Sequence, residues 1–327
     1  MKKKLKEINF HRQELHNHLP SLRTINSLLP YTIEKVRIES DELRINRKEW
    51  TFCKNPEQED DEDSNERIIS IFNRDTHRRS PNFSVNKSSD EAFEKCFSVY
   101  LKNDSTIKDF DLSGVPKFLY ERDESDGFKL NISKLRTNGV LVDVFDYFIR
   151  FVNLDNLEYI HLVLSNKVFG QGDNFGILER PEIVNCKNLD LYVIAPKTAP
   201  INYITGLKNQ TLVLNQNYFD VNDLRLLIEN WKISSRPVGT SFCLWACGFI
   251  KTEILNSLEL QDTFPVEIQD ESTKMQGIGM KMDNNRDLVL YQGQHQVGNR
   301  YRPALKMEVI SRGSEKKIGD SEPHVSG

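Results

Sequence analysis

The chain has 327 residues, 44 lysines and arginines against 48 aspartates and glutamates, a net charge of −4 and a hydrophobic content of 38%. This balance supplies no positive field to draw in nucleic acid or an anionic membrane. The longest apolar run, Phe242 to Ile250, has nine residues, against the roughly 20 that span a bilayer.

The chain opens MKKKLKEINF, with no apolar stretch of a secretory signal, and carries five scattered cysteines. An odd cysteine count and no leader point to a reducing compartment, cytoplasmic or nuclear. From Arg12 to Leu29, Leu15, Leu19, Leu22, Ile25, Leu28 and Leu29 fall near helical spacing around Pro20, which predicts two short helices or one broken one. The period then changes to two: Val36 and Ile38, then Leu43 and Ile45, alternate with charged neighbours, giving a half-buried hairpin that Glu49 to Cys53 extend as a third strand. Residues 1–54 thus form an N-terminal helical segment and hairpin. Residues 55–66, NPEQEDDEDSNE, hold seven acidic side chains and no apolar one, the composition of a solvated loop.

Residues 67–264 read as a repeat-like α/β region. Ser88 with Glu91 has capping-box spacing ahead of the apolar stripe Phe93, Cys96, Phe97, Tyr100 and Leu101. Ile107 to Leu112 and Phe128 to Ile132 look like strands, and Gly139 precedes an amphipathic helix with Val140, Leu141, Val144, Phe145, Phe148, Ile149 and Val152 on one face. Four short strands follow, Tyr159 to Ser165, Leu189 to Ala195, Thr211 to Asn215 and Ser241 to Cys247. The helix Val221 to Trp231, with Asp220 as N-cap, fills the last gap. Strands separated by such crossovers are parallel neighbours. One strand every 20 to 30 residues predicts a leucine-rich-repeat-like right-handed solenoid, with an irregular α/β sandwich as the alternative. Residues 265–310 form a C-terminal β-rich segment in which Leu288 to Tyr291 and Leu305 to Ile310 suggest a hairpin. Residues 311–327 read as a disordered tail.

Site chemistry is sparse. Gly170, Gly172 and Gly176 are one residue too widely spaced for a dinucleotide fingerprint, and Asp173 stands where pyrophosphate would sit. No phosphate-loop motif occurs. Cys243 and Cys247 lie some 13 Å apart along a strand at ~3.3 Å per residue, too far to share a zinc ion. A calcium loop from Asp61, Asp63 and Asn65 fails because Glu66 occupies the glycine position and Phe72 the bidentate one. No metal or cofactor is expected. His161, inside a predicted strand, is the histidine to weigh as a general base for Cys186, Cys243 or Cys247, yet no nucleophile-elbow motif accompanies it.

Three segments together resemble a known family. LPSLRTINSLLPYTIEKVRIESDELRIN (19–46), DEAFEKCFSVYL (90–101) and LRLLIENWKISSRPVGTSF (224–242) look like motifs of a nematode-expanded family of unknown function related to the F-box-associated proteins. The resemblance runs from about Leu19 to Ile310. It implies an α/β fold used for protein recognition, with no catalytic residues to transfer, and a link to the ubiquitin pathway by analogy only. Eighteen residues precede Leu19, too few for an F-box of about 40 to 50 residues judged from helix lengths. Binding of a Skp-type adaptor is therefore not expected.

The expected function is a non-enzymatic protein-recognition module, with a cysteine-dependent hydrolase using His161, or a nucleic-acid binder, as alternatives. Strand parity places the partner site. One parity is aliphatic (Ile160, Leu162, Leu164; Leu189, Leu191, Val193; Leu212, Leu214; Phe242, Leu244) and belongs to the core. The other is mixed, and Tyr159, His161, Tyr192, Asn215 and Trp245 on it are the partner-binding candidates. The partner itself is unidentified.

Overall fold

The computed structural model describes residues 32–312 apart from 40, 55–65, 81, 102–104, 123–126, 140–141, 166–174, 195–197, 217–218, 246–257, 259 and 271–272, and it also describes 317–318. The expected N-terminal helices, the acidic run as far as residue 65, Gly170, Gly172, Asp173, Cys247 and the tail apart from residues 311–312 and 317–318 lie outside the described residues; Glu66 and Ser311, expected in the loop and the tail, instead belong to strands.

The fold is one large mixed sheet, open rather than closed, with few helices. Its middle is parallel. Strands β1 (Thr32–Glu39), β7 (Thr106–Leu112), β9 (Lys134–Thr137), β10 (Tyr159–Leu164), β11 (Asn188–Val193), β12 (Thr211–Gln216) and β13 (Ser241–Trp245) lie side by side in that order. Antiparallel ladders continue it on both sides. Next to β1 come β2 (Glu42–Ile45), β3 (Lys48–Lys54), β4 (Glu66–Asn73) and then β5 (Arg78–Arg79) and β6 (Phe83–Asn86). Next to β13 comes β17 (Arg300–Ser311), then β16 (Arg286–Val297), β15 (Thr273–Lys281) and β14 (Thr263–Asp270). The pair β8 (Asn131–Ile132) sits beside β7, and β18 (Lys317–Ile318) beside β14.

Neither the expected leucine-rich-repeat-like solenoid nor the irregular α/β sandwich describes this arrangement. Strand spacing reports only that successive strands need crossovers. It is blind to β17 returning to take the free edge of β13, and to β2 taking that of β1. The crossovers are also unlike one another: a five-residue helix α4 (Pro181–Asn185), a six-residue α5 (Ile201–Gly206) and a thirteen-residue α6 (Val221–Ile233). No repeated unit is stacked, so the parallel strands are the centre of a mixed sheet.

The aliphatic parity of β10 to β13 is buried throughout, from Ile160 to Leu244. It packs against the helices on that side; Trp231 of α6 meets Phe242 with ring centroids 6.3 Å apart. Asp220 caps α6 by accepting from the Asp223 N–H at 2.8 Å, and Leu224, Leu227, Ile228 and Trp231 form its buried stripe. Each such buried side chain contributes about 1.5–3 kcal/mol. Over β7 and β9, Phe148 of α3 (Val142–Ile149) meets Phe110 at 5.1 Å.

Helix α1 (Ser89–Tyr100) carries a complete capping box: Ser88 Oγ accepts from the Glu91 N–H and Glu91 accepts from the Ser88 N–H. It buries Phe93 and Phe97 against Phe118 of α2 (Lys117–Tyr120). Replacing Ser88 by alanine is expected to lower the free energy of unfolding by about 1 kcal/mol, read from urea denaturation. A change below a few tenths would mean the box contributes nothing.

The C-terminal strands reach their packing through glycine. A Cβ on Gly279 would sit 2.5 Å from the Phe264 ring, and one on Gly277 2.9 Å from Ile268 Cδ1. Side chains of β14 therefore lie across a bare stretch of β15, and Ile268, Val289 and Tyr291 close into a small second core. The β16–β17 ladder runs on past its neighbours: β15 stops opposite Tyr291 and β13 opposite Ala304, while pairing within the hairpin continues to Val297 and Arg300.

Candidate functional site

The face opposite the helices carries the second parity of the parallel strands, which is half-buried at Tyr159, His161, Val163, Asp190, Tyr192 and Val213. Register sets the neighbours. His161 stands beside Asp190 and, on its other side, Arg136; Tyr159 stands beside Lys134; Tyr192, Asn215 and Trp245 form one row across β11, β12 and β13.

Asp190 organises the polar half. Its Oδ2 accepts from the Tyr159 hydroxyl at 3.1 Å and from the His161 Nδ1–H at 2.9 Å. Burial by itself raises the Asp190 carboxyl pKa; the hydrogen bonds and positive charge of His161, with the Tyr159 bond and His295 nearby, outweigh it and hold the group below its ordinary value. The same surroundings, burial first and then the Asp190 charge, push the Tyr159 hydroxyl upward. The Lys134 ammonium rests over the Tyr159 ring, 4.2 Å from its centroid. Arg136 donates from Nε to Asp109 Oδ1 at 3.0 Å.

The other half is aromatic. Tyr192 and Trp245 lean together across β12, edge to face, with centroids 6.0 Å apart, above the row position of Asn215. His295, from the extended end of the β16–β17 hairpin, stacks on Trp245 at 5.4 Å. This hairpin end folds back over the face, and Gln296 and Val297 complete one wall of a cavity of about 310 Å³ that runs from Lys134 and Arg136 to Trp245. Three buried polar atoms along this face have no hydrogen-bond partner: Asp190 Oδ1, Asn215 Nδ2 and Trp245 Nε1.

All five candidates from the sequence lie on this one face. Tyr159 and His161 meet through Asp190, Tyr192 meets Trp245, and Asn215, 2% exposed, forms part of the floor. The face is partly roofed by the hairpin. Strand parity left Lys134, Arg136 and His295 out of the site, and Asp190 stood only as a polar member of the mixed parity. The alternation in Lys134-Leu135-Arg136-Thr137 was a readable signal for the first two; the return of His295 from a distant hairpin had none.

His161 is not brought to either of the described candidates, Cys186 or Cys243. Cys243 lies in the same cross-strand row but three strands away, about 14 Å at ~4.8 Å per strand. Burial pushes its thiol up to about 12. Cys186, likewise pushed up to about 12 by burial, is held among Ile183 O, Asn188 O and the Asn209 amide. Among the described residues, no group of three or more histidine, cysteine or acidic side chains is placed to hold a metal ion, and no helix is long and apolar enough to cross a membrane.

No protein-family model matches the chain, and no curated protein matches it. Among solved structures it is similar to an S-adenosylmethionine-dependent methyltransferase from Clostridium acetobutylicum ATCC 824, at 11% identity over 69% of this chain and 82% of that one, with a TM-score of 0.15. A likeness that slight supports no functional transfer.

Proposed function

We propose that the protein is a recognition module that binds a protein partner on the open face of its parallel strands, without catalysis. The observation that supports this reading is the aromatic and polar cavity between Lys134 and Trp245, two of whose lining residues, Asp190 and Trp245, keep a buried polar atom unsatisfied. Unsatisfied buried groups are rare in proteins and concentrate where function needs them. Tyrosine and tryptophan are the residues most enriched at binding hot spots. The resemblance to F-box-associated proteins points the same way, toward recognition.

The test is quantitative affinity purification with wild type, Tyr192→Ala, Trp245→Ala and a surface control, Ile233→Ser, at a position 83% exposed on α6. A discrete set of proteins retained by wild type and control, and lost with both aromatic variants while they remain folded, is the expected result. Identical profiles for all four would overturn the reading. Leu191→Ala and Leu244→Ala, on the opposite parity, are expected to cost about 2–5 kcal/mol of stability, more than either aromatic variant in the same thermal and urea measurements.

A further inference from the structure

Two cations and two carboxylates meet at the Lys134–Arg136 end of the cavity, Lys134 and Arg136 with Asp109 and Asp190. Lys134 and Arg136 are two residues apart on β9 and so project from the same face. Among the described residues Lys134 makes no direct ion pair, and its ammonium rests on the Tyr159 ring. Burial first, then the Arg136 charge, pulls its pKa down, and the nearby Asp109 and Asp190 charges only partly offset this. Arg136 spends Nε on Asp109 and has no partner for its two terminal nitrogens. Asp190 is engaged on Oδ2 by Tyr159 and His161 and does not reach Lys134 as an ion pair.

We infer that this cavity binds an acidic peptide segment of the partner, an aspartate or glutamate carboxylate seated on Lys134 and Arg136 and an apolar side chain seated against Tyr192 and Trp245. The inference rests on the recognition reading above and names the chemistry of what is recognised. A carboxylate gives Lys134 a direct ion pair and gives the arginine fork its preferred planar partner. The aromatic pair bridges β11 to β13, so its centre lies about three strands, or ~14 Å, across from β9 and two to four residues, about 7–13 Å, further along the strands, a diagonal of about 16–19 Å that an extended peptide covers in about five to six residues at ~3.3 Å each. The expected motif is therefore an acid and a large apolar residue about five to six positions apart.

Selection of phage-displayed random dodecapeptides on the intact protein tests this, repeated on Lys134→Gln/Arg136→Gln and on Trp245→Ala, each checked for a native melting transition. The expected result is enrichment of peptides with that pairing on wild type, loss of the acidic preference but not the apolar one on the double variant, and loss of the apolar preference on Trp245→Ala. A synthetic representative should weaken at least tenfold when its acid is exchanged for glutamine or when Lys134 is. Peptides that depend on Trp245 but carry no acidic preference would overturn the acidic-segment inference and leave the recognition reading standing. Selection of no peptide that depends on Trp245 would count against both.

Discussion

Trp231→Ala is expected to lower stability by about 3–5 kcal/mol, the range for truncating a fully buried large aromatic. Trp231 is 0% exposed. One side of its ring meets Phe242, and the Arg236 guanidinium lies 4.2 Å from its centroid. Arg236 is itself buried, its pKa pushed down to about 10 by that burial, and it donates from Nη2 to Leu207 O at 2.7 Å. Alanine at 231 would therefore remove the contact between α6 and β13 and also strip a desolvated cation of the ring that partly compensates it. The chain has little capacity to refill the gap, because Leu224, Leu227 and Ile228 on the same stripe are already packed. Urea unfolding of the variant checks this, and a loss below 1 kcal/mol would show that α6 is not seated as described.

Asp190→Asn is expected to have a pH-dependent effect. The carboxylate accepts two hydrogen bonds on Oδ2, and an amide oxygen is a weaker acceptor for both. Hydrogen bonds to charged groups are worth about 1.5–3 kcal/mol. The lower end applies, because the His161 and Asp190 side chains keep 21% and 20% of their surface in solvent. The folded carboxyl titrates below its ordinary 3.8, so between the two values the unfolded chain binds more protons than the folded one. Its stabilisation is then complete above about pH 4 and is lost as the pH falls through the lower, folded value. Wild type should exceed Asp190→Asn in unfolding free energy at pH 6 and converge on it in strong acid. A difference that grows on acidification would refute the assignment.

What the sequence revealed follows from the range of each signal. Alternation in β10 to β13 is local, and it separated Leu191 from Tyr192 and Leu244 from Trp245 because one face is apolar and the other is not. The capping box at Ser88 is likewise contained within four residues. Sheet architecture is not local. Nothing near Trp245 announces that Ala304 will pair with it, and β14 and β15 were unreadable because Pro265, Gly277 and Gly279 are poor strand formers that work here through the close approach of Phe264 and Ile268. The site divides the same way: its aromatic residues showed in strand parity, while the role of Asp190 depends on Tyr159 and His161 converging from the neighbouring strand, and the cover of His295 depends on a hairpin far along the chain.

The return of β17 to β13 also orders events during synthesis. The parallel strands are all made by Trp245, yet the edge of β13 has no partner until about 55 further residues bring Arg300 and its successors out of the ribosome. At ~5–20 residues per second, that leaves the backbone groups on the outer edge of β13 unpaired for about 3–11 seconds, before Leu305, Met307 and Val309 have joined the core. Bare strand edges recruit other chains. The seam between β13 and β17 is thus sewn well after the parallel strands are made, and the interval before it closes is when a nascent chain most needs shielding from its neighbours on the same message.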